Sequence, residues 1–77
     1  MKEKIAQILA EINSFKAESK EALENFRVSY ISKKGVIPAL FADFKQVEPE
    51  MRKELGIKLN ELKNRAQEVF DEQMQQF

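Results

Sequence analysis

Residues 49–75 read PEMRKELGIKLNELKNRAQEVFDEQMQ, from Pro49 to Gln75, and this stretch decides the fold class. Its apolar residues are Met51, Leu55, Leu59, Leu62, Ala66, Val69, Phe70 and Met74. Steps of three and four place them along one side of a helix. Pro49 suits the first helical position, where its missing N–H costs nothing, and Glu50 adds favourable first-turn charge. Leu55, Leu62 and Val69 recur every seven residues, as do Leu59, Ala66 and Gln73. The result is a short heptad-like seam that fades where Gln73 replaces an apolar residue. Glu54 and Lys58 have the spacing of a supporting i,i+4 pair. Gly56 interrupts the helix at a cost of about 1 kcal/mol relative to Ala, either as a point of close approach or as a tolerated cost.

Working back from Pro49, Gln46-Val47-Glu48 is a break, and a short helix over about 38–45 presents Leu40, Phe41 and Phe44. Pro38 disfavours helix at Ile37 and fits a first turn. Ser32-Lys33-Lys34-Gly35 is the clearest punctuation in the chain. Gly35 can take positive φ and end a helix, and Lys33 and Lys34 are favourable at a helix C-terminus. Before it, Ala22, Leu23, Phe26 and Tyr30 stripe a helix over about 19–31, with Ser19 as N-cap. Ile5, Ile8, Leu9, Ile12 and Phe15 stripe another over about 2–14. No Gly or Pro separates these two segments, so residues 1–31 read as one helix or two; the polar residues around 13–20 favour two. The expected fold is all-α, a small antiparallel helical hairpin or bundle of three or four helices with a long C-terminal helix (about 49–75). That last helix is expected to run antiparallel to the N-terminal material. Its end, Gln73 to Phe77, is expected to fray or to continue as an arm of a longer protein.

The chain has 77 residues, with 13 Lys+Arg against 13 Asp+Glu, and no His, Cys or Trp. Ser-His-Asp and Cys-His catalysis, thiolate or imidazole zinc sites and disulfide frameworks are thereby excluded. A hydrophobic fraction of 43% is enough for a folded chain, and one domain, 1–77, is the natural count. A chain this short buries only about 60% of its unfolded surface, so its stability margin is thin. Lys2, Glu3, Lys4 and Glu11 are foreign to a signal peptide, no run approaches a membrane span, and the expected compartment is the cytoplasm. Glu50–Glu54 and Glu68–Glu72 read as surface charge, because catalytic carboxylates need a cleft. Residues 1–35 hold seven basic and five acidic side chains, residues 36–77 six and eight. Arg27, Lys33 and Lys34 form a small cationic group at one end, able to touch phosphates without reading bases.

Arg27-Val28-Ser29-Tyr30-Ile31-Ser32-Lys33-Lys34-Gly35 resembles the N-terminal region of the alpha subunit of bacterial phenylalanyl-tRNA synthetases. That family carries Arg, a Tyr three residues on, then Leu-Gly-Lys-Lys-Gly; here Ile31 and Ser32 stand at the Leu and first Gly. Its following Leu-Thr is Ile37-Pro38 in this chain. Pro49-Glu50, Arg52, Gly56, Asn60 and Leu62-Lys63 are similar to the family in order and spacing. The resemblance implies a coiled-coil-like arm that contacts tRNA-Phe and performs no chemistry. By the same implication the chain is a fragment of a longer subunit. That subunit has a class II catalytic domain, uses ATP and Mg²⁺, and pairs with a beta subunit in a cytoplasmic (αβ)₂ heterotetramer. The tRNA contacts implied are Arg27, Lys33, Lys34, Arg52 and Lys63, with Ser32, Gly35, Pro38, Pro49, Gly56 and Asn60 shaping turns and packing. The competing expectation is a helical interaction module that self-associates or docks on a protein, motivated by Phe70, Met74 and Phe77. No cofactor or metal is expected within these residues.

Overall fold

In the computed structural model, which describes residues 2–77, the chain forms four α-helices. They are α1 (Lys2–Ser14), α2 (Lys20–Phe26), α3 (Val36–Phe44) and α4 (Pro49–Met74). A π-helical segment, Arg27–Ile31, continues α2. Among the described residues there is no strand. The seam of α4 organises the rest: Leu55, Leu59, Leu62, Ala66 and Val69 are all buried, at steps of four and three. Against it pack Ile5, Ile8 and Ile12 of α1, Phe26 of α2, and Ile37 and Leu40 of α3, in one continuous core. At 1.5 Å per residue a helix of this length spans about 39 Å, which accounts for the longest dimension of a molecule measuring 43 × 20 × 16 Å.

The helix directions differ in part from the sequence expectation. Lys2 pairs with Glu54 at 2.7 Å, and Arg65 Nε donates to Asn13 Oδ1 at 2.6 Å. Both pairs advance in the same sense, so α1 runs parallel to α4 rather than antiparallel. The reason is where the chain reverses. It turns between α1 and α2, at residues 15–19, although no Gly or Pro marks the place. Two polar side chains hold the turn. The Gln73 side chain accepts from the Ala17 N–H at 2.6 Å and donates to the Phe15 carbonyl at 2.8 Å. Ser19 caps α2 by accepting from the Ala22 N–H at 3.0 Å. Gln73, where the heptad fades, is therefore occupied, and α4 holds its helix to Met74; only the last residues trail off, with Phe77 half exposed. Glu54, whose spacing predicts a Lys58 pair, is instead bonded to Lys2, and that bond holds its carboxyl below the usual range.

From this turn α2, the π-helical segment and α3 run back against α4, and Phe44 arrives beside Gly56. A Cβ on Gly56 would lie 3.4 Å from Phe44 Cζ, an ordinary contact with a side chain, so the position has room for a methyl. Arg52 closes the second reversal: its Nε donates to the Val47 carbonyl at 3.1 Å and its Nη2 to that of Lys45 at 3.2 Å. Pro49 then opens α4.

Gly35 corrects a second expectation. It does not end a helix with positive φ; it is the N-cap of α3, with φ −77° and ψ 173°. Space is what excludes a side chain there. A Cβ would meet the carbonyl carbon of Tyr30 at 2.7 Å and its oxygen at 2.9 Å. Consequently α3 starts at Val36, two residues before Pro38. Pro38 still falls in the first turn, where no N–H has an intrahelical partner; the first such bond runs from Ala39 to Gly35.

Candidate nucleic-acid interface

The π-helical segment leads directly into the basic turn. Its wider register is closed by the Ser32 N–H donating to the Arg27 carbonyl at 2.9 Å, while the Ser32 hydroxyl donates to the Val28 carbonyl at 2.7 Å. Single π turns of this kind recur at functional sites. Here the register places Tyr30 between two anchors. Its ring lies 5.0 Å from that of Phe26, itself stacked on Phe15 at 4.4 Å. Its hydroxyl donates to Glu11 at 2.8 Å. Partial burial first, and then the Glu11 carboxylate, push the Tyr30 phenol up. Tyr30 is thus a packing residue that ties this segment to α1. Beyond it the Gly35 N–H donates to the Ser32 carbonyl at 2.8 Å, forming a tight turn with Lys33 and Lys34 exposed at its tip.

All three arginines are engaged within the chain. Arg27 pairs with Glu24, its Nε lying 3.0 Å from Oε1; the pair draws the carboxyl down and holds the guanidinium up. Arg65 joins Asn13 and Glu68, and Arg52 is committed to the two carbonyls of the α3–α4 loop. Among the described residues Lys33, Lys34 and Lys63 are exposed and form no ion pair. Of the five residues implied as tRNA contacts, those three are unpaired, while Arg27 and Arg52 also make bonds within the chain. Asn60 is exposed on α4 rather than packed.

Lys63 belongs to a feature that the sequence reading missed. A cleft of about 480 Å³ lies between α3 and α4. Ile31, Ile37, Pro38, Phe41 and Ala42 form its apolar walls. Lys45, Lys63, Asn64 and Gln67 supply its polar lining. Phe41 and Lys45 are four apart, as are Lys63 and Gln67, so the spacing could have placed each pair on one helix face. What the spacing lacks is the crossing of the two helices that brings the faces together. No group of three or more His, Cys, Asp or Glu side chains suited to a metal occurs among the described residues, and no described helix is long and apolar enough to cross a membrane.

Residues 18–77, which include the basic turn and the cleft, match the family described as aminoacyl tRNA synthetase class II, N-terminal domain. The chain belongs to this family. It is similar to the phenylalanine–tRNA ligase alpha subunit of Bacteroides fragilis, 50% identical over 74 residues, covering 96% of this chain and 22% of the relative. The corresponding subunit of Phocaeicola vulgatus is 55% identical over 65 residues, covering 84% and 19%. That of Porphyromonas gingivalis is 52% identical over 68 residues, covering 88% and 20%. The chain thus spans about a fifth of the length of these curated relatives. No solved structure matches it. Within the family's N-terminal domain, the resemblance carried by Arg27–Gly35 and Pro49–Lys63 falls inside the matched residues.

Proposed function

We propose that this chain is the tRNA-positioning arm of a phenylalanine–tRNA ligase alpha subunit, acting on tRNA-Phe. The observation that carries the reading is the set of unpartnered lysines, Lys33, Lys34 and Lys63, on a family domain whose arginines are all engaged internally. Lysines of this kind hold a phosphate backbone in place and carry no sequence information. Catalysis, with its ATP and Mg²⁺, belongs to the remainder of the subunit, and a beta subunit completes a cytoplasmic (αβ)₂ assembly. With no net charge, the arm supplies a small and salt-sensitive part of the binding energy, the rest coming from the enzyme's body.

Titrating labelled tRNA-Phe with the chain at low and moderate salt tests this reading. The expected result is binding weaker than micromolar, lost as salt rises and indifferent to sequence. Nanomolar, sequence-selective binding would overturn it. In the longer subunit assembled with its partner, Lys33→Gln with Lys34→Gln should raise KM for tRNA several-fold and leave phenylalanine-dependent ATP–pyrophosphate exchange unchanged.

A further inference from the structure

We infer that the cleft between α3 and α4 is a subsite for one unstacked nucleotide of the bound RNA, its base against Phe41 and Pro38 and its phosphates at Lys45 and Lys63. This rests on the RNA-contacting role proposed above and adds to it a specific place and a specific part of the ligand. Three features of the cleft converge on that occupant. First, its walls are apolar and include the aromatic ring of Phe41, a surface on which any base can stack. Its volume of about 480 Å³ falls in the range of small-ligand sites.

Second, its charge is one-sided. Lys45 and Lys63 line it, neither forms an ion pair among the described residues, and no carboxylate lines it. Two uncompensated cations beside an apolar wall call for a ligand with a flat apolar body and an anionic edge, which describes a nucleotide. Asn64 offers an amide donor and acceptor for the base edge. Gln67 donates to Asp71 at 2.9 Å, which leaves its carbonyl oxygen free to accept.

Third, the cleft is continuous with the basic turn. Ile31, the last residue of the π-helical segment, forms part of its wall, and Lys33 and Lys34 follow within three residues. A backbone lying across the turn is therefore delivered to the cleft. A second copy of the chain could cover the same walls, and sedimentation in the test below separates that occupant from RNA.

The test compares a tRNA-Phe transcript with a blunt RNA duplex that has no unpaired nucleotide, titrated at low salt against the chain and three variants. Phe41→Leu keeps an apolar side chain against the core while removing the stacking face. It should weaken tRNA binding about tenfold, the loss of one stacked base, and leave duplex binding unchanged. Lys45→Gln with Lys63→Gln, both exposed, should weaken tRNA binding more than duplex binding, and carries the test if Phe41→Leu lowers the melting temperature substantially. Lys33→Gln with Lys34→Gln should weaken both RNAs alike. If the cleft variants bind tRNA as the parent chain does while the turn variant weakens both RNAs, the subsite is overturned and the positioning role stands. If the parent chain binds neither RNA, both fail. Sedimentation showing a dimer in the absence of RNA that Phe41→Leu dissolves would also overturn the subsite, by assigning the cleft to a second copy.

Discussion

Two stretches interrupt the helices early in the chain, and they are built on opposite plans. Residues 15–19 carry no Gly or Pro, yet the chain reverses there, clasped from 56 and 58 residues away by Gln73. Residues 32–35 carry the glycine and the two lysines, yet the break is closed locally, by Ser32 on Arg27 and Val28 and by Gly35 on Ser32. In the first, polar side chains turn inward to satisfy backbone. In the second, two backbone bonds and the Ser32 hydroxyl close the break within a few residues, and the lysines are left outside. The first turn spends its polar side chains on the fold, while the second leaves Lys33 and Lys34 without a partner among the described residues, as the proposed phosphate contact requires.

The sharpest way to break the local turn is Gly35→Ala. The new methyl would lie within 3.0 Å of the Tyr30 backbone, which cannot swing aside as a flexible side chain could. We expect a loss of about 3 kcal/mol, toward the upper end for overpacking, by chemical denaturation. Gly56→Ala is the control for adding a methyl to a glycine. There the nearest atom is the Phe44 ring at 3.4 Å, and the gain in helix propensity of up to about 1 kcal/mol should leave stability equal or higher. Equal losses at both sites would show that close approach does not distinguish the turn.

Gln73→Leu attacks the clasped turn, and intuition from the heptad gives the wrong sign. Leucine would continue the seam of Leu59 and Ala66, so hydrophobic patterning alone predicts a gain. The structure predicts a loss of about 1–2 kcal/mol, because the Ala17 N–H and the Phe15 carbonyl would lose their partners in a partly buried place. A raised melting temperature would mean that the turn at 15–19 does not depend on Gln73.

The contrast also explains what could be read from the sequence. Helices announce themselves by period, so α1, α2 and α4 were legible from Ile5, Ile8 and Ile12, from Leu23 and Phe26, and from the Leu55–Val69 seam. Local breaks announce themselves by composition, so Ser32–Gly35 and Gln46–Pro49 were legible as well. The parallel course of α1 was not, since it follows from a reversal held by a residue 56 positions away from the one it bonds. The lysines at the basic turn were visible as charge. That Arg27 and Arg52 also bond within the chain was not, because Glu24 and the carbonyls of Lys45 and Val47 become their partners only in the folded chain. The cleft was hidden for the same reason: two unremarkable helix faces make it by crossing.

Ser19→Ala probes how far the clasped turn also relies on local chemistry. Removing the cap should cost about 1 kcal/mol. Ser19 and Gln73 hold the two ends of one five-residue link, so their losses should not add. In a double-mutant cycle, coupling of about 0.5 kcal/mol or more would mark them as one device, and strict additivity would mark them as two.

The smallest expected change in stability is the most informative about function. Lys33→Gln with Lys34→Gln should shift unfolding by no more than about 0.5 kcal/mol, since neither side chain bonds to anything among the described residues. The same pair should lower RNA affinity and flatten its dependence on salt, cutting the slope of log K against log salt by about 1–2 as two phosphate contacts are lost. Large effects on both unfolding and RNA binding would mean that the lysines support the turn, and the division between a turn for the fold and a turn for a ligand would fail. A silent effect on both would leave the turn without a ligand. Only the asymmetric result, a fold indifferent to the two charges and a salt slope that is not, matches a turn that closes without its lysines and holds them out for phosphate.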